Sequence, residues 1–191
     1  MSVYDLILSR RSIRQFESQP VKRAILEKVV NTARVAPSAA NLQPLEFVAV
    51  DEGELKKAVF ACLKWAAYIT PQGNPEPGHE PQAYIVTLVN SQIRERGYEY
   101  DVGAAMENMI LAAWGEGIGS CWLISVDRPR VMELLKIPAA YKIDCVLALG
   151  YPAETPKVEE MKDSCRYWKD SDGQFHVPKR GLRKIIHFNG F

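Results

Sequence analysis

Arg10, Arg11, Ser12 and Arg14 place three guanidinium groups and a hydroxyl within five residues. Guanidinium forks match phosphate oxygens, so the cluster is a candidate clamp for a phosphate or a polyol. The same cations at a helix end would also complement the helix dipole as plain solvated charge. A second candidate is Pro37-Ser38-Ala39-Ala40-Asn41-Leu42-Gln43-Pro44, where Ser38, Asn41 and Gln43 offer donors and acceptors on a frame fixed by two prolines. Its plain alternative is a helix-to-strand connection. The third is Gly117 to Ser125 (GIGSCWLIS), whose glycines allow close backbone approach. Its G-x-G follows a helix and opens a strand, the reverse of the dinucleotide-binding fingerprint, which excludes that reading. The fourth, Lys179-Arg180-Gly181-Leu182-Arg183-Lys184, reads by itself as a solvated basic helix start.

Other catalytic chemistries find no support. His79, His176 and His187 lack H-E-x-x-H spacing, and Cys62, Cys121, Cys145 and Cys165 form no C-x-x-C pair. Reduced thiols and no metal site are expected.

The elements that must position these residues follow from periodicity. Ser2 and Asp5 form a capping box, so a short helix runs to about Arg10, followed by an extended RRSIRQF. Val21, Ile25, Leu26, Val29, Val30 and Ala33 recur at helical spacing until Pro37 stops the helix. Phe47 to Val50 is a short buried strand, Glu54 to Ala67 a second helix, and the Pro- and Gly-rich stretch from Thr70 to Pro81 a loop or lid. Trp65 and Tyr68 read as packing residues. Ala83 to Val89 is a strand, and Asp101 a plausible N-cap for a long helix to about Glu116. That helix is apolar over so wide an arc that a central or interface position is expected. Residues 120–126 and 145–149 read as strands, with Pro129 opening a helix from Arg130 to Lys136. Beyond Tyr151 the chain is polar and irregular until a last helical segment, Leu182 to Phe188. Four strand-like runs separated by helices indicate an α/β layer arrangement with one sheet.

The chain has 191 residues, 47% apolar and 25% charged, which suits one domain spanning 1–191 with a substantial core. A net charge of +1 provides no long-range field to recruit nucleic acid or an acidic membrane. No apolar stretch approaches the roughly 20 residues of a bilayer span, and the N-terminus lacks the basic region of a signal peptide. A cytoplasmic location is therefore expected.

Taken together, RRSIRQF, PSAANLQP, DVGAAMENMILAAWGEGIGSCWL and PKRGLRKIIHF resemble, in order and spacing, the nitroreductase family over almost the whole chain. The resemblance implies an α+β fold, a mixed sheet flanked by helices, in an interleaved homodimer with two FMN sites lined by both chains. Arg10, Arg11, Ser12 and Arg14, with Lys179 and Arg180, would hold the phosphate and ribityl of FMN. Pro37, Ser38, Ala39 and Asn41 would come from the other subunit, and Gly119, Leu123, Ile124 and Ser125 would lie along the flavin. The sequence departs from the family pattern at Ala39, Leu45 and Ile124-Ser125. The implied activity is ping-pong electron transfer from NADH or NADPH to a small oxidised acceptor such as a nitroaromatic or quinone, with no side-chain nucleophile. The alternatives are a flavin-binding or redox-sensing protein without efficient turnover, and a specialised member such as a reductive dehalogenase.

Overall fold

A computed structural model describes residues 1–191. Its centre is a four-stranded sheet in the order β1-β2-β4-β3, formed by Leu45–Val50 (β1), Ala83–Asn90 (β2), Gly119–Leu123 (β3) and Tyr141–Gly150 (β4), with every neighbouring pair antiparallel. Helices α1 (Val3–Ser9), α2 (Arg23–Arg34), α3 (Gly53–Phe60), α4 (Glu99–Gly115) and α5 (Arg128–Leu134) surround it. The outer edge of β3 takes one parallel bridge, Ser12 to Ser120, which makes the sheet mixed at that edge.

Period-two alternation explains why β2 and β4 read as continuous apolar runs. Ile85 and Val89 of β2 join Leu147 and Leu149 of β4 in a core with Leu26 and Val29 of α2 and Met106 and Met109 of α4. Tyr84, Val86 and Leu88 face the other way, packing with Val146 and Ala148 against Val59 of α3 and Val131 of α5. The sheet is therefore buried on both faces. The long apolar helix α4 is central, as its wide apolar arc requires: it packs between α2, α1 and the sheet.

Several boundaries differ from those expected. The helix beginning near Glu54 stops at Phe60 instead of reaching Ala67, because the next residues pair elsewhere. The Asp127 amide donates to the Cys62 carbonyl at 2.8 Å and the Lys64 amide to the Ser125 carbonyl at 3.1 Å, replacing helical bonds. Asp101 is not an N-cap but lies buried within the first turn of α4, which begins at Glu99. The segment after Tyr151 is not irregular: it forms a second, three-stranded sheet from Lys157–Glu160 (β5), Trp168–Lys169 (β6) and Phe175–Lys179 (β7), in the order β5-β7-β6. These strands are short and mix charged residues with isolated apolar ones, so no apolar run announces them. The expected terminal helix is one 3-10 turn, Leu182–Lys184. No helix is long and apolar enough to cross a membrane.

The N-terminal segment lies so close to the sheet that two glycines are required. A Cβ on Gly119 would come within 2.7 Å of Ile13 Cγ1, and one on Gly150 within 2.8 Å of the Phe16 ring. Ile13 and Phe16 are both fully buried and cannot yield cheaply. Gly150→Ala should lower the unfolding free energy by about 1–3 kcal/mol, the usual cost of overpacking, read as a drop in the denaturant midpoint at constant slope.

Candidate active site

The site is assembled from the extended N-terminal segment, the end of β3 and the small sheet. Helix α1 begins at the expected capping box: the Asp5 amide donates to Ser2 Oγ at 3.1 Å and the Ser2 amide to the Asp5 carboxylate at 3.2 Å. Past Ser9 the chain extends, and the Ile13 amide donates to the Ser120 carbonyl at 2.9 Å. This docking directs the Arg14 side chain between β3 and the small sheet. Its Nε is buried without a hydrogen-bond partner, and its Cζ lies 5.0 Å from the centroid of Phe175 and 5.4 Å from that of Tyr167. The Arg14 backbone amide donates to Glu154, whose carboxyl is pushed above the usual range, chiefly by burial.

Arg14 opens into a cavity of about 580 Å³, lined also by Lys64, Leu123, Ile124, Ser125 and Tyr167, with no Asp or Glu in its walls. The volume lies within the range of roughly 300–1,000 Å³ typical of small-molecule and cofactor sites. An arginine joined to no carboxylate, at the wall of a space free of carboxylates, fits a ligand that bears acceptor atoms or develops negative charge. Desolvation pushes the pKa of the buried Cys62 and Cys121 thiols upward, which disfavours their thiolate forms.

The other expected residues are distributed as follows. Arg11 uses one nitrogen to donate to the Leu8 carbonyl at 2.7 Å and the Arg10 carbonyl at 2.6 Å, capping α1, and burial with the neighbouring Arg10 charge depresses its pKa. Ser12 forms the bridge to Ser120. Arg10, Arg11 and Arg14 join no ion pair. Gly119 begins β3 and makes room for Ile13, a packing role. Lys179 and Arg180 are exposed at the end of β7, outside the lining of the Arg14 cavity, and Arg180 donates to the Lys184 carbonyl at 2.9 Å.

Within one protomer Pro37, Ser38, Ala39 and Asn41 do not reach this cavity; Pro37 and Ser38 line a different one, of about 410 Å³, beside α2, β1 and α4. The loop is held from α4. Ser38 Oγ donates to Asp101 at 2.7 Å and accepts from the Gln43 amide at 3.0 Å, while the Ala39 amide donates to Asp101 at 3.3 Å and Arg94 pairs with it at 3.4 Å. Ala40, Asn41 and Gln43 take φ values of 53°, 53° and 50°, a left-handed conformation costly for non-glycine residues.

The expected lid is fastened along part of its length. Gln15 Nε2 donates to the Asn74 carbonyl at 3.0 Å, the Glu76 amide donates to Gln15 Oε1 at 3.0 Å, and Phe16 and His79 exchange a further bond. Trp65 is buried as expected, whereas Tyr68 is exposed and packs on Tyr167 at 5.0 Å. Sequence reasoning missed Tyr167, Phe175 and Glu154 because they lie in the segment read as irregular; the aromatic pair Tyr167-Trp168 between Arg166 and Lys169 was the available signal.

The nitroreductase family model matches residues 7–151, which span the arginine cluster, the 37–44 loop, α4 and the main sheet. The chain belongs to the nitroreductase family. Among curated relatives, a protein of Archaeoglobus fulgidus provisionally named an NADH dehydrogenase/NAD(P)H nitroreductase is 32% identical over 167 residues, covering 83% of this chain and 90% of its own length. A Thermus thermophilus protein named NADH dehydrogenase is 27% identical over 185 residues, covering 77% of this chain and 85% of its own. The solved structure of an FMN-dependent nitroreductase from Clostridium difficile superposes with a TM-score of 0.70 at 26% identity, covering 97% of this chain and 98% of that one. As a nitroreductase-family member the chain is an oxidoreductase, and its α+β fold is that of the family.

In this nitroreductase-family chain the small sheet that holds Tyr167 and Phe175 beneath Arg14 is tied by His176. Its Nδ1 lies 3.1 Å from Glu159 and its Nε2 3.0 Å from Asp170, with Trp168 stacked on the ring at 4.1 Å. The Asp170 hydrogen bond, then that of Glu159, raises the His176 pKa, and both carboxyls are held below their ordinary values. A raised pKa contributes stability fully present below the unfolded histidine value near 6.5 and lost as pH rises through the folded value. The stability difference between wild type and His176→Gln should accordingly be larger at pH 5.5 than at pH 9, measured by urea unfolding. For the 37–44 loop, Asp101→Asn should cost about 1–3 kcal/mol, the price of leaving buried donors poorly matched, again read from urea midpoints.

Proposed function

We propose that the chain is an FMN-dependent oxidoreductase that passes electrons from NADH or NADPH to a small oxidised acceptor, such as a nitroaromatic or a quinone, and works as a homodimer. The observation that carries the reading is Arg14, joined to no ion pair, in the wall of a carboxylate-free cavity. When bound, FMN would supply hydride acceptance and electron release, chemistry that no side chain here provides.

In this reading Arg14 sets fixed positive charge where negative charge develops on reduction, held in place by Tyr167 and Phe175 instead of reorganising during turnover. Arg10, Arg11, Ser12, Lys179 and Arg180 hold the phosphate and ribityl. Leu123, Ile124 and Ser125 form the wall along the ring. The Ser125 carbonyl is already satisfied by the Lys64 amide, which keeps that wall in position. Pro37, Ser38, Ala39 and Asn41 come from the second subunit. Support for the dimer lies in the apolar residues left in solvent at both termini, including Tyr4, Leu8, Ile185, Phe188 and Phe191. Donor and acceptor use the same open cavity in turn, which accounts for ping-pong kinetics.

The protein loaded with FMN and freed of excess should be yellow, and its flavin band should bleach on anaerobic addition of NADH or NADPH. Initial rates at several acceptor concentrations should give parallel double-reciprocal lines. Arg14→Ala should retain FMN at least about tenfold more weakly, the effect of one charge-assisted contact, measured by flavin fluorescence titration. A protein that binds FMN but never bleaches would remove the oxidoreductase reading, and a colourless one the cofactor.

A further inference from the structure

The Arg14 cavity combines apolar walls with unbalanced positive charge. Among its lining residues only Arg14 and Lys64 are charged, while Trp65, Trp122, Leu123 and Tyr167 supply broad apolar surface. On the proposed reading Arg14 faces the cofactor, which leaves Lys64 to meet whatever else enters. Lys64 is exposed and joins no ion pair.

A second cation stands nearby on an aromatic ledge. The Tyr167 ring, part of the cavity wall, packs against Tyr68 at 5.0 Å, and Arg166 Cζ lies 5.4 Å from the Tyr68 centroid. Tyr68 is 57% exposed, so this ledge stands in solvent against the Tyr167 wall. Arg166 is likewise exposed and unpaired with any carboxylate. A solvated lysine or arginine is ordinary in isolation. Lys64 in the wall of an aromatic-lined cavity that contains no acid, with Arg166 on the Tyr68 ring packed against that wall, forms a complementary surface for a flat apolar body with a negative charge at one end.

We infer that the site selects, among electron acceptors, planar aromatic molecules carrying an anionic group, with Lys64 and Arg166 as the specificity-determining residues. The inference rests on the proposed oxidoreductase reading and adds the acceptor class to it. For a nitroaromatic acid, the two-electron reaction consumes NAD(P)H and one proton, converts the nitro group to nitroso, and releases NAD(P)⁺ and water. The carboxylate takes no part in that electron balance, so its contribution is to binding.

The test uses FMN-loaded enzyme with 4-nitrobenzoate and the neutral 4-nitrobenzamide as acceptors, comparing kcat/KM for wild type, Lys64→Gln, Arg166→Gln and the double variant. The intrinsic reducibility of the two acceptors is the same in every variant and cancels when their rate ratios are compared. The anion-to-neutral ratio should fall about fivefold in the double variant, as expected for two exposed charge contacts, and in wild type it should fall as salt is raised. Lys64→Arg, which keeps the charge, should retain most of it. A ratio that is unchanged in the double variant would overturn the inference while leaving the oxidoreductase reading intact. So would a loss confined to the reduction of the flavin by NADPH relative to NADH, since the cations would then serve the donor's extra phosphate. Failure of the wild type to bleach with either nucleotide would defeat the parent reading, and the acceptor preference with it.

Discussion

A strand at the edge of a sheet presents unpaired amides and carbonyls that must be covered. The edge of β3 is met by the chain's own Ser12 and Ile13, through the Ser12 to Ser120 bridge and the Ile13 amide, and residues 15–17 continue along residues 151–153 after β4. That pairing requires Gly119 and Gly150, because Ile13 and Phe16 fill the space where their side chains would stand. With Ile13 sunk against Gly119, the alternation of an extended chain turns the next residue, Arg14, the other way, toward the cavity. The position of the candidate cofactor residue is thus a by-product of closing the sheet.

The small sheet completes what the edge begins. Phe175 and Tyr167 give Arg14 two aromatic faces, and burial beneath them deprives its Nε of water. A cation held against aromatic quadrupoles keeps its charge but leaves strong hydrogen-bonding capacity unused. Electrostatic preorganisation of this sort is strongest in a site with little water and no competing carboxylate. Glu154 is close and feels the Arg14 charge, yet its carboxylate accepts from backbone amides of the Arg14 segment and forms no ion pair with the guanidinium.

Most of the main fold was legible because its elements are long and their faces chemically distinct. The repeat of Leu26, Val29 and Ala33 gave α2, and the unbroken run of β2 signalled burial on both faces. The small sheet was not legible: β6 has two residues, and β5 reads Lys-Val-Glu-Glu, which resembles a solvated loop. The helix ending at Phe60 was misjudged because its continuation is apolar and helix-compatible, and only the tertiary pairing of Leu63 with Val126 diverts it. Asp101 reads as a cap because Asp directly before an apolar-periodic run is a favoured N-cap. Its partner, Ser38, is sixty-three positions away and invisible to local reasoning. For the site, residue types were readable while their meeting places were not, since Arg14 and Ser38 lie in separate cavities of the same protomer.

The loop from Ala39 to Gln43 holds three non-glycine residues in left-handed backbone conformations, pinned by Asp101 at its base. Such a segment has few alternative conformations to lose. A second molecule docking on it would find the main chain already set, so contact there would demand little further loss of conformational entropy. The same rigidity limits how far the loop can adapt to a differently shaped partner. Its strain thus acts as a filter on shape, favouring molecules that match the loop as it stands.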